Sequence, residues 1–171
     1  VLMDSVPINM FSTELVSKAL SNFKNSDSGI TGYHISHLKA IAATSDGLEA
    51  VTYVVNMLLG KRAPNEICRF INTAKLFAIG SNKKARPILI GDTFMRLLAK
   101  CVILKDQPMI SRNMDPIQFA VGVKGGQELV IHAIRAWTQV NPKHIVCSID
   151  IENAFGNISR HAIRRALDTF P

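Results

Sequence analysis

Apolar residues recur along most of this chain at intervals of three and four, which is the spacing of amphipathic helices. Ser12 or Thr13 can cap the first of them, and Gly60 is a natural stop for the third. The spacing predicts helices over residues 12–24, 33–43, 45–59, 92–110, 127–138 and 159–167.

Two stretches predict β-structure instead. The short apolar runs 74–79 and 88–90 flank a basic turn that contains glycine, a pattern typical of a β-hairpin over about residues 74–91. Ile145 to Ile149 is apolar except for Ser148, which predicts a buried strand that ends near Asp150. The order of helices, hairpin, helices, strand and helix indicates an α+β fold.

The composition excludes several of the classes to which a chain of this length could belong. The chain has 171 residues, of which 47% are hydrophobic and 19% are charged, so disorder does not describe it as a whole. No apolar run approaches the roughly 18 residues that a membrane span requires, so we expect no membrane association. The start of the chain lacks the basic segment of a signal peptide.

The three cysteines are Cys68, Cys101 and Cys147, and no two are close in sequence. An odd, sparse set favours free thiols in a reducing compartment, and we expect them to be buried as small apolar side chains. This predicts an intracellular protein. The sequence contains no localisation run, so it does not distinguish nucleus from cytoplasm.

The net charge of +7 comes from the middle of the chain. Residues 61–112 contain eleven basic and three acidic side chains, whereas residues 1–60 have a net charge of −2 and residues 113–171 a net charge of +1. A localised basic field favours a polyanionic partner such as nucleic acid or nucleotide phosphates. A solvated basic face that aids solubility is the other interpretation of the charge alone.

Two segments carry candidate chemistry. A carboxylate such as Asp150 at the end of a buried strand needs a partner, and Mg²⁺ is often held by one or two carboxylates together with substrate phosphates. Alternatively, Asp150 caps the turn or pairs with an arginine. In the predicted hairpin, Lys83, Lys84 and Arg86 can bind phosphate oxygens, or they are simply solvated.

Together and in this order, these segments resemble the reverse transcriptases of non-LTR (LINE-type) retrotransposons. The resemblance covers about residues 27–170. It consists of a glycine-containing loop at 27–32, a fingers hairpin at 76–91 followed by 96–100, the segment 118–135 that precedes the palm, and a motif A formed by Ile149-Asp150, Ala154-Phe155 and Ile158.

The resemblance implies a mostly helical fingers region with a basic hairpin, followed by the first strand and helix of a reverse-transcriptase palm, and therefore an incomplete polymerase domain. It divides the chain into an N-terminal helical segment at residues 1–26, a fingers-like region at 27–143 and a partial palm at 144–171.

The resemblance also implies roles. Asp150 is expected to bind Mg²⁺, and the main-chain carbonyl of Ile151 is expected to help coordinate a second ion. Phe155 is the expected steric gate against a ribose 2′-hydroxyl, although from the residues alone it can equally pack under the palm. Arg86 is the expected clamp for the triphosphate. The implied activity is RNA-directed DNA polymerisation by two-metal nucleotidyl transfer, with an RNA template, a DNA primer and dNTP as partners.

The sequence departs from the family pattern in two places. Gly80 stands where the family usually carries a lysine, and Lys83 or Lys84 is the candidate replacement. The later palm motifs, which supply the other metal carboxylates, are absent before Pro171. We therefore expect the isolated chain not to polymerise DNA, because one aspartate cannot hold two Mg²⁺ ions against water. Alternatives are a non-catalytic basic nucleic-acid-binding module, a remnant of an element, or an unrelated α+β fold.

Three other side chains are weaker candidates for a functional role. His34 and His37 are three residues apart and can share a helix face, but no third metal ligand accompanies them. Trp137 lies on the predicted helix 127–138, where we expect it to pack in the core.

Overall fold

The computed structural model describes residues 10–80, 86–114, 118–120, 122–152 and 154–169, the last range without the side chain of Phe155. The chain forms two compact units, Val1–Asp106 and Gln107–Pro171. The predicted boundaries at residues 26/27 and 143/144 stay predictions. The elements are α1 (Thr13–Ser21), α2 (Ile35–Ile41), α3 (Ser45–Leu59), α4 (Asn65–Ile71), β1 (Ala74–Ile79), β2 (Arg86–Gly91), α5 (Thr93–Met114), α6 (Gly126–Val140), α7 (Ala154–Asn157) and α8 (Arg160–Thr169).

The core of the first unit is built by α1, α2, α3 and the first half of α5. Each helix buries the apolar stripe that its sequence spacing predicts, and each fully buried aliphatic side chain contributes about 1.5–3 kcal/mol. The core residues are Phe11, Val16, Ala19, Leu20, Ile35, Leu38, Val51, Val55, Leu97 and Cys101.

Side-chain caps fix where two of these helices begin. The Ser12 hydroxyl accepts a hydrogen bond from the Leu15 N–H at 3.3 Å, and the Thr44 hydroxyl accepts one from the Gly47 N–H at 3.1 Å. Such caps satisfy N–H groups that have no partner within the helix. They confirm the predicted starts of α1 and α3 to within a residue or two.

The hairpin is confirmed as an antiparallel pair. Ala74 pairs with Gly91 and Ile79 with Arg86, with every intervening residue in register. The α+β class is therefore confirmed, and the described residues are mostly helical. The sequence pattern gave no sign of α4, whose seven residues are too few to establish a helical period.

The buried strand predicted at Ile145–Ile149 is wrong. Residues 144–151 form neither strand nor helix, and Ile145 and Ile149 are 92% and 84% exposed. Within the described ranges, β1 and β2 are the only strands. A buried strand needs a neighbouring strand to satisfy its backbone N–H and C=O groups, and the described residues supply none for this segment.

Core packing of Trp137 is also not observed. Its side chain on α6 is 43% exposed, and its ring meets the His144 ring edge to face at 5.3 Å between centroids. In the part of the chain that the structure describes, no helix is long and apolar enough to cross a membrane.

Of the three cysteines, only Cys101 has the buried environment that we predicted. Cys68 is half-buried and Cys147 is exposed. Cys147 belongs to residues 144–151, which form neither strand nor helix and are exposed. Burial raises the pKa of the Cys101 thiol from 9.0 to about 11.

We therefore expect thiol reagents to modify Cys147 first and Cys101 last. The exposed Cys147 thiol is open to the reagent, whereas at pH 8 the Cys101 thiol, with a pKa of about 11, is almost entirely protonated and is also shielded. Maleimide labelling followed by peptide mass spectrometry measures the order. Rapid labelling of Cys101 in the folded chain would contradict the burial of this residue, and labelling in urea supplies the control.

Candidate nucleic-acid interface

Arg86 is the first residue of β2 and the candidate phosphate ligand that the structure describes best. Its side chain is exposed and forms no hydrogen bond or ion pair with another described residue. A guanidinium in this state has all five N–H donors available for phosphate oxygens. Lys83 and Lys84 lie outside the described residues, so their part in phosphate binding remains a prediction.

The face of the hairpin that carries Arg86 is apolar except for Arg86 itself and Lys75. Side chains alternate between the two faces of a strand, and directly opposed residues share a face. The register therefore places Arg86 with Phe77, Ile79 and Ile88. These three apolar side chains are all 41% exposed or more. Contiguous exposed apolar patches are a typical feature of interaction surfaces.

Gly80 follows β1 and has a backbone φ of 128°. Residues with a Cβ rarely adopt positive φ, whereas glycine adopts it readily. A lysine here, as in the family that the sequence resembles, would be strained. Position 80 therefore lacks the family's lysine and also has a backbone conformation that favours glycine.

A buried carboxylate joins the base of the hairpin to the loop before α2. Asp92 follows β2 directly and is 0% exposed. Its Oδ2 accepts hydrogen bonds from the Thr31 hydroxyl at 2.5 Å and the Thr31 N–H at 3.3 Å. Its Oδ1 accepts one from the Phe94 N–H at 3.0 Å. The Asp92 carboxylate thus caps the start of α5 and holds the loop at the same time.

Two cations hold the same loop. The Arg96 guanidinium donates to the Ser26 hydroxyl and to the Asp27 carbonyl, each at 2.7 Å. The Lys75 ammonium donates to the Ser28 hydroxyl at 3.3 Å. Residues 26–31 are therefore fixed to both β1 and α5 within the first unit.

The predicted metal site is not assembled by the described residues. Asp150 is exposed, and so is Ile151, whose carbonyl is the other predicted ligand. Within the described ranges, no group of three or more His, Cys, Asp or Glu residues lies close enough to hold a metal ion. A lone exposed carboxylate does not fit a pair of Mg²⁺ ions, which need several oxygen ligands each.

The backbone of Phe155 is part of α7, and its side chain lies outside the described part of the chain. His34 and His37 have a local structural role: the His37 Nδ1 accepts a hydrogen bond from the His34 N–H at 3.4 Å at the start of α2.

The structure identifies two residues whose importance the sequence did not reveal. In the sequence, Asp92 is only the first residue of the predicted helix 92–110, and Arg96 is only part of the family-like segment 96–100. Asp92 is one of just three acidic residues among the basic residues 61–112, which is the one sequence signal that set it apart.

Comparison with protein-family models, curated proteins and solved structures finds no match for this chain. The resemblance to reverse transcriptases therefore rests on the sequence motifs alone and stays a prediction.

Proposed function

We propose that this chain is part of an RNA-directed DNA polymerase of the non-LTR retrotransposon type. In this proposal the first unit supplies the fingers hairpin, and the second supplies the first aspartate of the palm. The observation that carries the proposal is the hairpin Ala74–Ile79 with Arg86–Gly91, at the position that the family resemblance requires. The Arg86 side chain is exposed and has no partner among the described residues.

In the proposed reaction Arg86 binds the triphosphate of the incoming nucleotide. A planar guanidinium matches two phosphate oxygens at once. If two Mg²⁺ ions were bound, Asp150 would be one of several residues that hold them, and the ions would activate the primer 3′-hydroxyl and neutralise the pyrophosphate. Asp150 is the one described residue proposed to hold them with its side chain, so the other carboxylates must come from outside the described residues.

We expect Arg86→Ala to weaken triphosphate binding about tenfold or more, because a hydrogen bond to a charged group is worth about 1.5–3 kcal/mol. Titration of the purified chain with a fluorescent dATP analogue measures the affinity. Arg69→Ala, which removes an exposed arginine on α4, is the control for net charge. Equal affinities of the wild-type chain and the Arg86 variant would argue against the proposed role of the hairpin.

The polymerase assignment has a direct test in the coding sequence that follows the Pro171 codon. We expect an open reading frame with a strand–turn–strand pattern and two adjacent aspartates. The chain extended by that sequence should incorporate dNTP on an RNA template and lose this activity with Asp150→Ala. A stop codon followed by unrelated sequence would count against the assignment and favour a non-catalytic nucleic-acid-binding module.

A further inference from the structure

A groove of about 460 Å³ lies in the first unit between the end of α1 and the first half of α5. Three cationic side chains line it: Lys24 from the segment after α1, and Arg96 and Lys100 from successive turns of α5. No acidic side chain is among the residues that line the groove. The hairpin contributes none of the lining residues, so the groove is a separate surface.

The positive charge of this groove is not neutralised within the described part of the chain. Lys24 and Lys100 form no side-chain hydrogen bond or ion pair with any described residue. Arg96 donates only to neutral oxygens, those of Ser26, Asp27 and Thr93. Its Nε is buried without a hydrogen-bond partner. Three cations in one groove repel each other, and an anion bound there would remove that repulsion.

The rest of the groove is apolar. The half-buried Phe23 ring lies 5.8 Å from the Arg96 guanidinium carbon, and Ile103 is 49% exposed at the groove. Proteins that bind single-stranded nucleic acid combine cations that follow the backbone with apolar and aromatic surfaces on which bases stack. An acidic peptide would use the cations but has no group that needs the Phe23 ring.

We infer that this groove binds a single strand of nucleic acid, with its phosphodiester groups beside Lys24, Arg96 and Lys100 and a base against Phe23. The groove adjoins residues 26–28, where Arg96 contacts Ser26 and Lys75 contacts Ser28. A strand in the groove is thereby guided toward the base of the hairpin. The inference rests on the proposed function for the identity of its partner and adds a second contact surface to it.

The test is the affinity of the full chain for a fluorescein-labelled single-stranded RNA of about 15 nucleotides, a length that covers one binding site. Because each phosphate contact contributes about 0.7 to the salt slope for a single strand, Lys24→Ala/Lys100→Ala should lower the slope by about 1.4 and the affinity by about tenfold. Lys124→Ala/Lys143→Ala removes the same charge from exposed positions outside the groove and should change the affinity little.

The Phe23→Leu variant measures the contribution of base stacking to RNA binding separately from that of the positive charges. This variant keeps an apolar side chain against the core and should bind about fivefold more weakly, since base–aromatic stacking contributes at least about 1 kcal/mol. Its salt slope should equal that of the wild-type chain. Far-UV circular dichroism of each variant verifies that the fold is retained.

Three outcomes would overturn the inference. In the first, the Lys24→Ala/Lys100→Ala variant binds RNA as tightly as the wild-type chain. In the second, polyglutamate binds as tightly as RNA and depends equally on the two lysines, and in the third, the lysines are needed for binding to phosphatidylserine vesicles but not to RNA. The Arg86→Ala titration with the dATP analogue distinguishes the two proposals. Loss of nucleotide binding with Arg86→Ala, together with unchanged RNA binding by the groove variants, leaves the proposed function standing without the groove.

Discussion

Replacing Gly29 with alanine is expected to lower the free energy of unfolding by about 3 kcal/mol, at the upper end of the usual cost of overpacking a core. A Cβ at this position would lie 2.3 Å from the Asp92 Cα and 2.9 Å from the Gly91 carbonyl oxygen. Both atoms belong to the backbone, so no side-chain rotation relieves the contact. The loop must move away from the start of α5.

Gly91→Ala is the matched control, because a Cβ there meets nothing within 4 Å. Urea unfolding followed by far-UV circular dichroism compares the two variants. The labelling rate of the buried Cys101 thiol reports on the first unit specifically, since Cys101 is part of its core. Similar stabilities of Gly29→Ala and Gly91→Ala would show that the loop does not pack this closely.

Asp92→Ala is expected to destabilise the first unit by a similar amount, about 3 kcal/mol. The substitution removes the acceptor of three hydrogen bonds and leaves partly buried donors on Thr31 and Phe94 unpaired. Each unsatisfied buried donor costs about 1–3 kcal/mol. Asp92→Asn should lose about half as much, because the amide retains one oxygen acceptor in the same place.

Asp106→Ala removes a carboxylate further along α5 and is the control for this series. A substitution at a partly exposed position without such partners changes stability by at most about 0.5 kcal/mol. The denaturant midpoint and the Cys101 labelling rate measure the series. Equal effects of Asp92→Ala and Asp106→Ala would contradict the role of Asp92 as the joint between the loop and the hairpin.

The sequence largely predicts which segments form helices and strands, but it does not predict which of their side chains are exposed. The spacing of Val16, Ala19 and Leu20 predicts α1 because helix formation depends on neighbours three and four residues apart. The hairpin was predictable because its two apolar runs flank a turn with strong local preferences. Ile145–Ile149 has the composition of a buried strand, but burial requires a partner strand, and composition carries no information about one.

The candidate site was likewise predictable from the sequence only in part. The position of Arg86 at the start of β2 followed from the local pattern of basic and apolar residues. The sequence did not show that Gly80 adopts a positive φ or that the carboxylate of Asp150 stands alone among the described residues. These properties depend on backbone conformation and on the surroundings of a residue, which a motif does not specify.

The sequence by itself determined the α+β class, the approximate bounds of most helices, the hairpin and the concentration of positive charge in residues 61–112. Only the tertiary structure decided that Asp92 holds Thr31, 61 residues earlier in the chain, and that Lys24 lines one groove with Arg96 and Lys100. Periodicity and turn chemistry act over a few residues, whereas contacts of this separation form only when the buried faces of α1, α3 and α5 pack together.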